Sequence, residues 1–143
     1  MATKIFLDTN IILDLLDAER VFYTESKTLF KGIETGKFLA YFSESVITTT
    51  DYILTKKYDY TQRLDILNDL LKMLTIIKCT NDIVKMALQN NEGDIEDAIL
   101  YELAITEKID YFITNDKQAQ KKLASKKLPV ISSKDFLKSR NDR

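Results

Sequence analysis

The feature that most constrains the fold of this chain is a regular alternation of short apolar runs with longer segments of helical spacing. "KIFL" (4–7) has the composition of a buried strand, and from Ile11 to Leu16 the apolar residues recur at helical intervals. Further strand-like runs follow, each separated from the next by a segment long enough for a helix: "FLAYF", "TIIKC", "DYFIT" and "LPVI". Strands that alternate with helices predict a parallel sheet covered on both faces. We therefore predict an α/β protein with three layers, α/β/α, around a central, mainly parallel sheet of about five strands.

Length and composition predict a single domain over residues 1–143. The chain is 45% hydrophobic, and with three glycines and one proline it has little material for linkers. No apolar run approaches the roughly 20 residues that a membrane span needs. The first ten residues, "MATKIFLDTN", reach an acid too early for a secretory signal. We expect a cytoplasmic protein that does not enter the membrane.

The chain has no histidine, and this narrows the chemistry available to it. Ser-His-Asp and Cys-His catalysis are excluded, and so are nearly all transition-metal sites. Cys79 is the only cysteine, so a zinc site built from several cysteines is excluded as well, and we expect Cys79 in the core. Any hydrolytic activity must then rest on carboxylates, which favour hard cations such as Mg²⁺ or Mn²⁺.

The net charge of −1 conceals a strong asymmetry. Residues 117–143 contain nine Lys or Arg against two Asp or Glu, whereas the rest of the chain contains twelve basic and twenty acidic residues. A solvated, lysine-rich helix face is the simpler interpretation of this basic segment. The alternative is a rim that attracts phosphate beside an acidic centre.

Acidic residues occur where two strand-like runs end. Asp8 follows "KIFL" and Asp116 follows "YFIT", while Asp94 and Asp97 lie at the start of the helix that precedes the second of these strands. In parallel sheets, ligands bind at the carboxyl ends of strands. Each acid taken singly could be a helix cap or a favourable charge at a helix start, and Asn10 is a plausible N-cap of the first helix. Taken together, the acids would repel one another unless a cation neutralised them, which favours a divalent metal.

The chain resembles the PIN-domain family of metal-dependent ribonucleases, which includes the VapC-type toxins of bacterial toxin–antitoxin pairs. The resemblance spans nearly the whole chain and rests on four segments in the family's order: "IFLDTNIILDLL", "FLAYFSESVITTTDYIL", "GDIEDAILYELAITEKIDYFITND" and "LPVISSKDFL". It implies a PIN-like fold, an acidic pocket that holds Mg²⁺ or Mn²⁺, and hydrolysis of RNA phosphodiester bonds. It also implies a homodimer and inhibition by a small antitoxin protein.

Carried over by position, the resemblance gives each site residue a role. Asp8, Asp97 and Asp116 match the family's catalytic and metal-binding acids, and Asp94 is a further metal-binding acid in the same helix turn. Asn10 and Thr114 match the polar residues that support the first and the last of these acids.

The sequence departs from the family pattern at two positions. Thr49 occupies a place where the family usually has an acid, and Gln118 occupies a second such place. Glu44 and Asp51 are nearby and are the candidate substitutes for the acid missing at Thr49.

Three other interpretations are open. A catalytically impaired PIN fold that binds RNA or a protein partner would explain Thr49 and Gln118. A phosphatase of the haloacid-dehalogenase type also places an Asp after its first strand, but it needs a second acid two residues later as a proton donor, where this chain has Asn10. A receiver domain would require paired acids at the end of the first strand.

Overall fold

The computed structural model describes residues 2–90, 93–123 and 127–141. Within these residues the chain forms five strands: β1 (Thr3–Leu7), β2 (Phe38–Phe42), β3 (Leu74–Ile76), β4 (Tyr111–Ile113) and β5 (Val130–Ile131). The helices of the same residues are α1 (Thr9–Leu16), α2 (Tyr23–Glu34), α3 (Glu44–Leu54), α4 (Tyr60–Met73), α5 (Asn81–Gln89), α6 (Ile95–Thr106), α7 (Lys117–Leu123) and α8 (Ser133–Asn141). None of these helices is both long enough and apolar enough to cross a membrane.

The strands form one parallel sheet in the order β3-β2-β1-β4-β5. From the central strand β1, the chain adds β2 and β3 on one side and β4 and β5 on the other. The direction in which strands are added therefore reverses between β1 and β4, and the register places Leu7 beside Ile113 at the carboxyl ends of these two strands. The predicted sheet is confirmed.

Two apolar cores hold the layers together, one on each face of the sheet. Ile5 and Leu7 of β1 point into the first core, which also receives side chains from α1, α2, α3, α4 and α8. Phe6 points the other way into the second core, with α5 and α6, where its ring stacks on Phe112 at 5.2 Å. Burial of both faces explains why the central strands are apolar at successive positions rather than at alternate ones.

Local boundaries differ from the prediction around the third strand. Helix α4 ends at Met73, and Leu74 already has extended backbone and pairs with Ala40 of β2. The strand then ends at Ile76, so Cys79 lies beyond the sheet and is exposed. The expectation of a buried Cys79 was wrong because "TIIKC" contributes only its first two residues to the strand.

Gly32 lies where α2 packs on the start of β2, and we expect its replacement to destabilise the protein. A Cβ at this position would lie 2.5 Å from Cε2 of Phe38, and that ring is in turn held edge-on against Phe136 at 5.0 Å. We predict that Gly32→Ala lowers the free energy of unfolding by about 1–2 kcal/mol, because overpacking outweighs the gain in helix propensity. Urea unfolding measures this change. The exposed Lys31→Ala on the same helix is the control and is expected to change little; an equally stable Gly32→Ala would contradict the packing.

Candidate active site

The candidate site lies where the carboxyl ends of β1 and β4 meet. The amide of Asp8 donates a hydrogen bond to the carbonyl of Ile113 at 3.1 Å. The two strands therefore remain paired for one residue beyond the end of β1. A reversal of strand order of this kind leaves a crevice at the carboxyl edge of a parallel sheet, and ligands of open α/β proteins bind there.

Asp8 is buried at the junction of β1 and α1, with 8% of its surface exposed. It is the N-cap residue of α1, and its Oδ1 accepts a hydrogen bond from the amide of Thr9 at 2.8 Å. The prediction of Asn10 as the N-cap was wrong, because the helix begins at Thr9 as soon as the strand ends. The second carboxylate oxygen of Asp8, Oδ2, accepts a hydrogen bond from the hydroxyl of Thr114 at 2.8 Å.

Thr114 joins the two strand-end acids. Its fully buried hydroxyl donates to Asp8 and accepts from the amide of Asp116 at 3.2 Å. The carboxylate of Asp116 turns towards α7, where its Oδ1 accepts from the amide of Gln118 at 2.9 Å. One hydroxyl therefore couples the positions of two acids that are separated by more than a hundred residues in the sequence.

The first turn of α6 brings three more acids to the same edge. Asp94 is the N-cap of α6, and its Oδ1 accepts from the amide of Asp97 at 3.0 Å. Glu96 and Asp97 follow in the first helical turn, where the helix dipole favours negative charge. These residues lie close enough to Asp8 for its charge to act on them: the charges of Asp8 and Asp94 both raise the pKa of Glu96 and of Asp97.

Burial and mutual repulsion disfavour the charged forms of these acids. Burial is the main cause of the raised pKa of Asp8, which Asp116 and Asp94 raise further, whereas the hydrogen bonds from Thr114 and Thr9 lower it. The pKa of Asp97 is raised from 3.8 to about 6, first by burial and then by the charges of Asp94, Asp8, Asp116 and Glu96. The pKa of Glu96 is raised by burial, Asp8 and Asp94. The site is thus a concentration of negative charge without a neutralising partner among these groups.

The donor set fits a hard divalent cation held mainly by water and a few carboxylates. All candidate donors are carboxylate oxygens, which Mg²⁺ and Mn²⁺ prefer. Among the residues described in the structure, no three acidic side chains are arranged so that they could hold one ion together. Mg²⁺ usually keeps several of its waters and takes one or two protein carboxylates, so this arrangement still suits it.

The raised pKa of Asp97 predicts a specific pH dependence of stability in metal-free protein. Its pKa is about 6 in the folded state against 3.8 ordinarily, so the folded state holds the proton more tightly over that interval. The resulting stabilisation is present below about pH 4 and is lost as the pH rises through about 6. Because Asp97 is only partly buried, screening reduces this contribution to the order of 1 kcal/mol.

Urea unfolding of the wild type and Asp97→Asn in a chelator tests this. The stability advantage of Asp97→Asn is expected to grow by the order of 1 kcal/mol between about pH 4 and pH 7. Asp135→Asn, at the exposed start of α8, controls for the loss of a charge at a helix start. An advantage for Asp97→Asn that does not vary with pH would show that the carboxyl is not perturbed.

Other residues named from the sequence are not brought into the acid cluster. Asp51 forms an ion pair with Nε of Arg63 at 2.8 Å, and Glu44 is exposed in the first turn of α3. Neither contributes to the shifted pKa values of Asp8 and Asp97. Asn10 is exposed and its side chain makes no hydrogen bond within the described residues, so the support of Asp8 comes from Thr9 and Thr114. Thr49 is half-buried in α3 and supplies no carboxylate.

Two features of the site were not predicted from the sequence. Glu96 belongs to the electrostatic cluster, and its place in an acidic first turn was the available signal. A buried polar network lies behind the site, in which Asp14 accepts from Nε of Arg20 at 2.7 Å and from Nδ2 of Asn115 at 3.3 Å. Asn115 in turn accepts from the amide of Ser133 at 3.0 Å, and it lies between Thr114 and Asp116. This network links α1 and the start of α8 to the segment that follows β4.

Comparison with known sequences gives two matches that span most of the chain. The family profile described as PIN domain matches residues 4–118. Ribonuclease VapC1 of Aquifex aeolicus (strain VF5) is 30% identical over 138 residues, which cover 93% of this chain and 92% of that protein.

Comparison with solved structures gives the same fold at low sequence identity. VapBC2 from Rickettsia felis, solved bound to a DNA fragment from its promoter, superposes with a TM-score of 0.66 and 17% identity, over 91% of this chain and 98% of that one. VapC20 of Mycobacterium tuberculosis, described as a toxin that cleaves the sarcin-ricin loop, gives a TM-score of 0.64 and 16% identity, over 80% and 92% of the two chains.

Proposed function

The chain belongs to the PIN-domain family, and from this premise we propose that it is a VapC-like ribonuclease that hydrolyses RNA phosphodiester bonds with Mg²⁺ or Mn²⁺. The 30% identity to Ribonuclease VapC1 over nearly all of both chains supports the activity. The likeness to VapBC2 and VapC20 supports a toxin of a toxin–antitoxin pair. Family membership also removes the basis for the phosphatase and receiver-domain alternatives.

The observation that carries the proposal is the coupling of Asp8 to Asp116 through Thr114 at the carboxyl edge of the sheet. The hydroxyl of Thr114 contacts the carboxylate of Asp8 and the amide of Asp116, while the first turn of α6 adds acids within electrostatic range. A chain that used these acids only as helix caps would have no reason to bury Asp8 beside other carboxylates, because that raises the cost of its charge.

We assign the residues as follows. Asp8, Asp97 and Asp116 are the catalytic acids, and one or two of the carboxylates of Asp8, Asp97, Asp116 and Asp94 would bind the cation directly, with water as its other ligands. Thr114 positions Asp8 and Asp116 through the contacts above. Asn10 is exposed beside the site at the first turn of α1, where its amide can contact the substrate. When bound, a divalent cation supplies charge neutralisation at the phosphate and lowers the pKa of an adjacent water.

The side chains of the protein contribute by orienting the attacking water and by accepting its proton. The carboxylates of Asp97 and Asp116 are the groups available to orient an attacking water and to accept its proton, since no histidine is present. Attack by water breaks the bond between phosphorus and the leaving ribose oxygen without using the neighbouring 2′-hydroxyl. The products therefore carry no 2′,3′-cyclic phosphate.

We further propose a small antitoxin protein and a second copy of the chain as partners, and the cytoplasm, where RNA is accessible, as the location. The antitoxin is supported by the likeness to VapBC2, a complex of toxin and antitoxin. We propose that residues 1–143 act as one domain, because the single sheet contains both β1, near the start of the sequence, and β5, near its end.

A non-catalytic RNA- or protein-binding module is the second candidate, and two positions favour it. Thr49 and Gln118 stand where the family usually has acids, and neither Glu44 nor Asp51 substitutes for the first of them within the cluster. Such a module would still bind RNA or a partner but would not cut.

A cleavage assay separates the two candidates. The full chain is incubated with an end-labelled RNA in Mn²⁺, in Mg²⁺, and in excess chelator. Cleavage is expected with either ion and not with chelator. An RNA with a single 2′-deoxynucleotide at the cut site should still be cleaved, because the proposed reaction does not use the 2′-hydroxyl. Asp116→Asn should lose activity, whereas the exposed Asp135→Asn should retain it. RNA binding without cleavage at saturating Mn²⁺ would establish the binding module instead.

A further inference from the structure

We infer that a pocket beside the acid cluster binds one nucleobase of the RNA and selects guanine through Glu102; this inference rests on the proposed function. The pocket has a volume of about 340 Å³ and lies between α5, α6 and α7. Asp94 and Asp97 form part of its lining, so the pocket and the acid cluster share an edge. A nucleotide with its phosphate at the acids would place its base at or beside this opening.

Glu102 is the unusual group in the pocket. It lies on α6 and lines the cavity, yet only 8% of its surface is exposed. Within the described residues it has no ion pair, and no hydrogen bond satisfies its carboxylate. The carboxylate oxygens of Glu102 are not among the described side-chain atoms that are buried without a partner, so they face the open pocket, where a ligand with hydrogen-bond donors can reach them. Unlike the acids at the edge, Glu102 has no role in the site already described.

The other walls of the pocket suit a base attached to a phosphate chain. Small and aliphatic side chains, among them Ala98, Ile105 and Leu123, offer flat apolar contact. Lys122 and Lys127 also line the pocket and bring positive charge to it. The combination of apolar walls, a buried acceptor and cations is what single-stranded RNA requires, since its bases are read at their Watson–Crick edges while its phosphates are neutralised.

Guanine is the base that matches a lone carboxylate best. An ionised carboxylate only accepts hydrogen bonds, through two oxygens side by side. Guanine presents two adjacent donors on its Watson–Crick edge, N1–H and the 2-amino group. Adenine and cytosine present one amino group beside an acceptor nitrogen, and uracil presents one N–H between two carbonyls. Each of these other bases would leave an acceptor facing Glu102.

Sequencing the cut ends of a random RNA pool digested in Mn²⁺ tests the inference. The wild type is expected to show guanine enriched about tenfold to a hundredfold at one fixed position near the cut, the discrimination typical of a bidentate contact. Glu102→Gln, which turns one acceptor into a donor, should lose this enrichment. Glu107→Gln, an exposed acid on the same helix end, should keep it.

Inosine provides the second readout, because it lacks only the 2-amino group of guanine. Binding of two short labelled RNAs is measured in chelator; they have the same sequence, but one has guanine and the other inosine at every guanine position. The wild type should bind the guanine RNA about tenfold more tightly, and Glu102→Gln should not distinguish the two. Glu102→Gln should also be at least as stable as the wild type in urea, since no native contact of the carboxylate is lost.

The outcomes separate the inference from the proposed function. Cleavage with no base preference, or with a preference that Glu102→Gln leaves unchanged, overturns the guanine pocket while the nuclease stands. Discrimination of guanine from inosine in chelator that depends on Glu102, in a protein that does not cut, supports the pocket while the nuclease fails. An unchanged RNA profile together with weaker binding of an oligoarginine peptide to Glu102→Gln would show that the pocket takes a basic peptide, and would overturn the inference.

Discussion

Asp8→Asn is expected to remove RNA cleavage while leaving the protein at least as stable as the wild type. The loss of activity should be at least about a hundredfold, because even residues that merely support a metal ligand contribute ten- to hundredfold. Stability should not fall, because burial and the charges of Asp116 and Asp94 already raise the pKa of Asp8 and so disfavour its charge. An Asn keeps an oxygen for the amide of Thr9 and a polar group for the hydroxyl of Thr114.

Two measurements on the same preparation test this expectation. Initial cleavage rates in Mn²⁺ give the activity, and urea unfolding in chelator gives the stability. A variant that loses activity and stability together would mean that Asp8 acts mainly as a helix cap. A variant that keeps its activity would exclude Asp8 from the catalytic site.

Asp14→Asn is expected to have the opposite effect, although Asp14 lies on the same helix and only 3% of its surface is exposed. Its two oxygens accept from Arg20 and Asn115, so an amide would set one N–H group against another. We predict a loss of about 1–3 kcal/mol in the free energy of unfolding, the usual cost of breaking a buried hydrogen bond to a charged group. Cleavage at a temperature well below the unfolding transition should remain close to that of the wild type.

The pair of variants distinguishes a functional acid from a structural one. Both acids follow β1 within one short helix, and both substitutions replace a carboxylate by an amide. Thermal unfolding and Mn²⁺-dependent cleavage should therefore give a crossed pattern: activity lost and stability kept for Asp8→Asn, stability lost and activity kept for Asp14→Asn. Loss of cleavage in a stable Asp14→Asn would place Asp14 in the catalytic machinery.

The strands of the sheet could be predicted from the sequence because buried parallel strands are apolar at successive positions rather than at alternate ones. In β1, Ile5 and Leu7 fill one core and Phe6 the other, so no polar residue interrupts the run. The end of β3 was harder to predict, because "TIIKC" is as apolar as a strand although only Thr75 and Ile76 of it belong to one. The exposure of Cys79 follows from that early ending.

The meeting of Asp8 with Asp116 could be predicted only in part. Alternating strands and helices place all strand ends at one edge, but they do not say that β1 and β4 are neighbours. That contact depends on the strand order, in which the chain passes from one side of β1 to the other. The resemblance to the PIN-domain family implied that these acids share a pocket but did not give the strand order; the hydrogen bond between Thr114 and Asp8, 106 residues apart, shows how close the two strand ends lie.

The polar network behind the site gave no signal in the sequence. Asp14 and Asn115 are 101 residues apart, and each alone looks like a surface residue. The pocket acid Glu102 was not predicted either, although it is the only charged residue between Ala98 and Thr106. The roles of such residues depend on neighbours that are distant in the sequence, so the spacing of nearby residues does not reveal them.

A diffraction experiment on crystals grown with Mn²⁺ tests the central claim most directly, because the anomalous signal locates the ion independently of activity. We predict a Mn²⁺ peak within about 2.5 Å of a carboxylate oxygen of Asp8 and of at least one oxygen from Asp97 or Asp116, with water completing the coordination. The same peak should be absent from crystals of Asp8→Asn. Saturating Mn²⁺ with no ion at these acids, or an ion bound only elsewhere, would contradict the account.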